Sequence, residues 1–316
     1  MGSAQAILAL SGGVGGAKLA LGLADSLAPG QLHVLVNTAD DFMHLGLHIC
    51  PDIDTVLYTL SGRANAAQGW GLEGETWNTM AALDQLGAET WFRLGDRDMA
   101  THLWRTQQLK NGQRLSACTA ALAARMGVNS HIHPMSDDPV STTVHSERGD
   151  LPFQHYFVRD QCEPVVTGFS FDGISAARPN REVMRLLQRK AFATVVICPS
   201  NPFVSVDPIL QLSGLWLALR ESPAPVVVVS PIVAGHAIKG PAAKMMAELG
   251  LEVSALEVAR HYTRRYPGLM DRFVIDDSDA TMAGAIRELG VEVAVTSTVM
   301  KSRADKRALA RFALQL

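Results

Sequence analysis

One stretch near the start of the chain most constrains how it can fold. Ala6-Ile7-Leu8-Ala9-Leu10 is an apolar run. Ser11-Gly12-Gly13-Val14-Gly15-Gly16-Ala17-Lys18 is a glycine turn, and Leu19, Ala20, Leu21, Leu23 and Ala24 then fall in a helix-like run. The order strand, glycine turn, helix opens an α/β unit. Such a turn leaves backbone N–H groups free at the positive end of the helix dipole, a setting that favours a phosphate. Gly12, Gly13, Gly15 and Gly16 are therefore expected to hold a phosphate or diphosphate, with Lys18 either a point charge on it or turned to solvent. The competing reading is that glycine here only relieves sterics.

Two familiar phosphate patterns are broken. A P-loop ends in Gly-Lys-Ser/Thr, whereas this turn ends in Ala17-Lys18-Leu19. A dinucleotide fingerprint needs a third glycine and an acidic residue closing the second strand. Lys18 occupies that glycine slot, and the second strand, Leu32 to Val36, runs into Asn37. A nicotinamide oxidoreductase is thereby disfavoured.

Beyond Asn37 come Asp40 and Asp41, and then Cys50-Pro51-Asp52-Ile53-Asp54 opens a helix. Ligands of open α/β sheets sit past the carboxyl ends of strands, so these carboxylates belong beside the glycine turn. Clustered carboxylates repel one another unless a cation lies among them, and Mg²⁺ takes carboxylates together with phosphate oxygens. Asp52 taken alone reads equally well as a helix cap.

The character changes from residue 61 to about 127, where helical patterns (Thr76–Leu86, Met99–Leu109, Leu115–Arg125) surround the charged loop 93–98. Four of the five tryptophans, Trp70, Trp77, Trp91 and Trp104, fall here. Most read as core of an inserted subdomain, with a wall for a flat ring system as the alternative. Residues 130–160 read as a small β-rich segment with a hairpin pairing 143–145 with 153–159. Ser136, Asp137, Ser141 and Thr142 are expected to hydrogen-bond a ligand, and His131 with His133 is discounted as a metal pair. From Ala193 the α/β rhythm returns. Val195-Val196-Ile197-Cys198 leads into Pro199-Ser200-Asn201-Pro202, again a polar cluster past a strand end.

The expected fold is α/β: a Rossmann-like, doubly wound, mainly parallel sheet in a single domain. Its core is 4–60 and 190–316, with a helical insertion at about 61–127. A net charge of −3 gives no basic footprint for nucleic acid. The apolar run from Ala4 to Leu10 is too short for a signal or a membrane span. The four scattered cysteines read as reduced thiols. A cytoplasmic protein is expected.

In several ordered motifs the chain resembles the 2-phospho-L-lactate transferase family of coenzyme F420 biosynthesis. They are residues 11–18, Val-Asn-Thr-Ala-Asp-Asp (36–41), Pro-Asp-Ile-Asp-Thr-Val-Leu-Tyr (51–58) and Leu-Gly-Asp-Arg-Asp (94–98). Pro-Met-Ser-Asp-Asp-Pro-Val-Ser-Thr (134–142), Pro-Ser-Asn-Pro (199–202) and Ser-Pro-Ile (230–232) complete the set. The resemblance implies a Mg²⁺-dependent transfer to the deazaflavin Fo (7,8-didemethyl-8-hydroxy-5-deazariboflavin). A ribityl hydroxyl of Fo attacks a guanosine diphosphate ester carrying a lactyl, enolpyruvyl or glyceryl group. GMP is released and coenzyme F420-0 or its analogue forms. The resemblance also implies Asp40, Asp41 and Asp54 as metal candidates, with Asp54 alternatively a general base. It implies Asp54, Arg93, Ser200 and Asn201 at Fo, the glycine turn with Lys18 at the diphosphate, and a homodimer. The alternative is a non-catalytic nucleotide-binding regulator like the related gluconeogenesis-factor family.

Overall fold

The computed structural model describes residues 6–65 and 68–316. Ala4, expected to start the first apolar run, lies outside them. In chain order the elements begin with β1 (Ala6–Ser11), α1 (Gly13–Ser26) and β2 (Leu32–Val36), then a hairpin of β3 (Phe42–His44) and β4 (Leu47–Ile49), and α2 (Pro51–Leu60). Helices α3 (Asn78–Gln85), α4 (Asp96–Lys110) and α5 (Leu115–Arg125) follow, then β5 (His131–Pro134), β6 (Ser141–Ser146), β7 (Gly149–Pro152) and β8 (Val166–Asp172). The remainder is α6 (Arg181–Gln188), β9 (Phe192–Ile197), α7 (Asp207–Gln211), α8 (Leu215–Arg220), β10 (Val226–Val229), β11 (Ile232–Val233), β12 (His236–Ala237), α9 (Ala242–Glu248), α10 (Ala255–Arg265), β13 (Arg272–Ile275), α11 (Ala283–Arg287), β14 (Glu292–Val295) and α12 (Arg303–Gln315).

Seven strands form one parallel sheet in the order β14-β13-β10-β9-β1-β2-β5. From β1 the chain winds outward to β2 and β5; from β9 it winds the other way to β10, β13 and β14. The topological switch point therefore lies between β1 and β9, where open α/β sheets bind ligands. The central strands β1, β2 and β10 are buried on both faces, and side chains alternate between two cores. Leu8, Leu10, Leu35, Val226 and Val228 enter one; Ile7, Ala9, Val34, Val36, Val227 and Val229 enter the other. This period of two is the pleat expressed in packing.

Helix α1 packs against α12 so closely that a Cβ on Gly22 would meet the carbonyl oxygen of Lys306. The salt bridge of Arg303 to Asp25, at 2.6 Å, holds the same pair of helices together at its exposed rim.

Segment 130–160 differs from expectation. β5 joins the main sheet as its edge strand, pairing with β2. The hairpin is real, but Gly149–Pro152 forms its second arm, and β8 completes a separate three-stranded antiparallel sheet. Residues His155–Arg159 turn instead into a short π-helix. Tyr156 is buried there while Phe157 stays exposed, and none of the five residues pairs in a strand. His33, His131 and His133 stack at the β2–β5 edge with His33 Nδ1 3.0 Å from His133 Nε2, and burial pushes the pKa of both His33 and His133 down to about 4.

A candidate transfer site at the switch point

The loops after β1 and β9 meet over a cavity of about 580 Å³. One end is lined by Gly12, Gly13, Val14, Gly15 and Lys18, and the opposite bank by Pro199, Ser200, Asn201 and Ser205. Each glycine of the turn has a steric reason to be glycine. Gly13 has φ +63°, and a Cβ on Gly12, Gly15 or Gly16 would strike Ser205, the Pro199 carbonyl, or Ser11 and Ser200. The glycines thus let the loop after β9 approach the start of α1. Gly12 N–H donates to Ser200 Oγ at 3.1 Å, closing that seam.

Lys18 and Lys239 both face the cavity, and among the described residues neither pairs with a carboxylate. Burial, Lys239 and Lys306 push the Lys18 pKa down. Two lysines without a carboxylate partner make their side of the cavity electropositive.

The four aspartates expected to act together are divided by the fold. Asp40 and Asp52 line the cavity and are buried. Asp52 accepts from Gly13 N–H at 2.7 Å and from Asn37 Nδ2 at 3.0 Å. Burial pushes its pKa up to about 6. Asp40, bonded by Thr142 Oγ1 at 3.3 Å, is raised by burial and by the nearby Asp52 and Asp41. Burial raises both acids, Asp52 raises Asp40 further, and Asp41 raises both, so a cation among them relieves the site.

Asp54 faces away. The guanidinium of the fully buried Arg105 in α4 binds both of its oxygens, Nη1 to Oδ2 at 3.0 Å and Nη2 to Oδ1. Asp54 is not among the residues that line the cavity. Helical phase explains the division: residues two apart on α2 point to different sides. Asp41 also turns away, lining a second cavity of about 560 Å³ that shares Asp40 as its boundary.

The charged loop separates likewise. Arg93 reaches the cavity while stacking over Trp77 at 4.4 Å. Asp96 instead receives Asn78 and Thr79 N–H groups at 3.2 and 3.0 Å, and Asp98 receives Tyr58 OH at 2.6 Å. Asp96 knits the helical segment together, and Asp98 ties it to α2. Asn201 caps its own turn, accepting from Phe203 and Val204 N–H, with Nδ2 on Met245 Sδ. Ser136 and Asp137 also serve local structure: Ser136 Oγ donates to the Arg178 carbonyl, and Asp137 accepts from Ser116 N–H.

The tryptophans divide too. Trp70 and Trp91 line the cavity with Phe92, Phe153 and Phe157. Trp77 packs into the small cluster of Met80 and Leu94, and Trp104 lies under Arg125. Asn37, Lys239, Phe153 and Phe157 were not singled out from sequence. The only signals were an amide closing β2, a lysine in a Lys-Gly-Pro turn and apolar residues in a segment read as strand.

No helix among the described residues is long and apolar enough to cross a membrane. By fold the chain is similar to a solved member of the UPF0052 family from Bacillus halodurans, with TM-score 0.66, 15% identity and coverage of 99% of this chain and 100% of that one. By sequence it is 38% identical over 310 residues to a 2-phospho-L-lactate transferase of Methanosarcina acetivorans, covering 98% of each chain. It is also 38% identical over 315 residues to a phosphoenolpyruvate transferase of Streptomyces griseus, again covering 98% of each. The family profile described as 2-phospho-L-lactate transferase CofD matches residues 7–308, and the chain belongs to that family of transferases.

Proposed function

We propose that the cavity transfers a phospho-three-carbon-acid group from a guanosine diphosphate ester to the terminal ribityl hydroxyl of Fo. The observation that carries this reading is the pairing, in one cavity, of a cation-seeking acid pair (Asp40, Asp52) with an anion-seeking wall of Lys18, Lys239 and the α1 N-terminus. A hydroxyl oxygen–phosphorus bond forms, the phosphorus–oxygen bond to GMP breaks, and the hydroxyl proton leaves. Such a reaction rests on positioning and charge neutralisation.

Asp40 and Asp52 fit Mg²⁺, being hard oxygen donors whose mutual repulsion a dication removes. Bound there, Mg²⁺ would neutralise charge on the diphosphate. Lys18 and Lys239 hold the phosphates from the other side. Gly13 N–H orients the Asp52 carboxylate, and Asn37 locks it from behind. Trp91, Phe92, Phe153 and Phe157 supply apolar faces for a flat ring, with Arg93 at their edge. Asp54 takes no part beyond holding Arg105.

The relatives carry both lactyl-type and enolpyruvyl-type names at equal identity, so overall similarity does not choose the donor. The proposal includes a cytoplasmic homodimer, which the particle mass in solution checks. The deciding experiment supplies Mg²⁺, Fo and, in turn, the lactyl, enolpyruvyl and glyceryl guanosine diphosphate esters. Mass spectrometry then looks for GMP and the phosphodiester. Product with one donor is expected; guanine nucleotide binding without product from any donor would favour the regulator reading.

A further inference from the structure

We propose that Asp41, His48 and Cys50 form a second metal site, distinct from the Asp40–Asp52 pair, that takes a thiophilic divalent cation of the zinc type. One donor atom from each residue lies within 4.8 Å of the others. His48 Nε2 stands 3.6 Å from Asp41 Oδ2. A tetrahedral ion with metal–ligand lengths of about 2.0–2.3 Å separates its donors by about 3.3–3.7 Å, a range that holds the Asp41–His48 distance, with Cys50 close enough to complete the set.

The same atoms turn only to one another. The Asp41 side chain is 9% exposed, and among the described residues the side-chain groups that its oxygens and His48 Nε2 meet are those of the trio itself. Cys50 is a free, fully buried thiol. Buried polar groups are ordinarily hydrogen-bonded, and buried charges are paired or ligate metals.

The hairpin explains the convergence. Residues two apart on a strand share a face, which aims His48 and Cys50 the same way. The β3–β4 register pairs Phe42 with Ile49 and Met43 with His48, so one further step sets Asp41 opposite Cys50. The charges balance as well: a carboxylate and a thiolate neutralise a dication, while nearby Arg105 is already matched by Asp54. A thiolate–imidazole–carboxylate set selects zinc-like ions over magnesium. Asp41 and His48 also border the second cavity, leaving a fourth position for water or a small ligand.

The test uses the full chain, stripped by chelation and reloaded with Co²⁺ or Zn²⁺ alone. One retained zinc per chain is expected, together with a thiolate-to-cobalt charge-transfer band that zinc abolishes. Cys50→Ser keeps the side-chain size and should lose the band. His48→Ala, at a partly exposed position, should fold normally and lose the retained zinc. Asp52→Asn should keep both signals, which separates this site from the transfer site. Absence of the band and of retained zinc in the wild type would overturn the proposal. So would an unchanged zinc content in His48→Ala, or a band that survives Cys50→Ser.

Discussion

Asp52 Oδ1 accepts a 2.7 Å hydrogen bond from the backbone N–H of Gly13, setting a carboxylate from α2 at the first amide of α1. The carboxylate and the helix N-terminus therefore share one point in space, where an anionic substrate and its counter-cation must also meet. Asp52→Asn keeps the size and one acceptor but removes the charge. Turnover is expected to fall by about 100-fold or more, the scale of losing one charge-stabilising group, with an unchanged circular dichroism spectrum. Steady-state kinetics beside thermal melts check both halves.

Asp54 should behave in the opposite way. Its partner Arg105 is fully buried, and removing either one strands a charge in the interior. Breaking such a pair costs about 3–5 kcal/mol. Arg105→Met should lower stability by that order in denaturant melts. Asp54→Asn should lose stability first, while the fraction that stays folded in the cold keeps its turnover. Full stability with abolished turnover in Asp54→Asn would return this residue to the chemistry.

The acid pair makes stability depend on pH and on Mg²⁺. Asp52 keeps its proton up to about pH 6 in the folded chain, against a reference of 3.8, and Asp40 is displaced in the same direction. The folded state thus binds more protons than the unfolded chain above the reference value. The contribution of these groups to stability is present at low pH and is lost as pH rises through the folded pKa. Without Mg²⁺, Asp40→Asn is expected to raise Tm at pH 7.5 by about 2 °C, equivalent to roughly 1 kcal/mol. Mg²⁺ should raise the wild-type Tm more at pH 7.5 than at pH 5. Scanning calorimetry at the two pH values measures it.

Trp91 tests the aromatic bank. It meets His44, Phe92 and His155 edge-on while facing the cavity. Trp91→Ala removes one ring face, worth about 1–1.5 kcal/mol beyond area. KM for Fo should rise about tenfold, with KM for the guanylylated donor nearly unchanged.

The sequence made the sheet and its switch point legible because buried parallel strands read as continuous apolar runs such as Val226–Val229, and loops with chemistry follow their carboxyl ends. The helix at Leu115–Arg125 was equally plain, as a run rich in the strong helix formers alanine and leucine. The division among the aspartates was not legible. Asp52 and Asp54 differ only in helical phase, and Arg105, which captures Asp54, lies 51 residues away in sequence. The π-helix at His155–Arg159 was hidden for a related reason: its aromatic and β-branched residues favour a strand, and only the tertiary fold turns the segment and buries Tyr156. Lys239 carried no local mark, since its role depends on a turn that returns over the cavity from β12.

The seam between Gly12 and Ser200 joins residues 188 apart in sequence, and α1 is covered on one side by α12, the last helix of the chain. During synthesis at about 5–20 residues per second, the glycine turn therefore emerges long before either of its neighbours exists. The phosphate end of the cavity cannot assemble co-translationally in its own half of the chain. A nascent chain halted before Ser200 would lack both the hydroxyl that closes the Gly12 seam and the helix that covers α1.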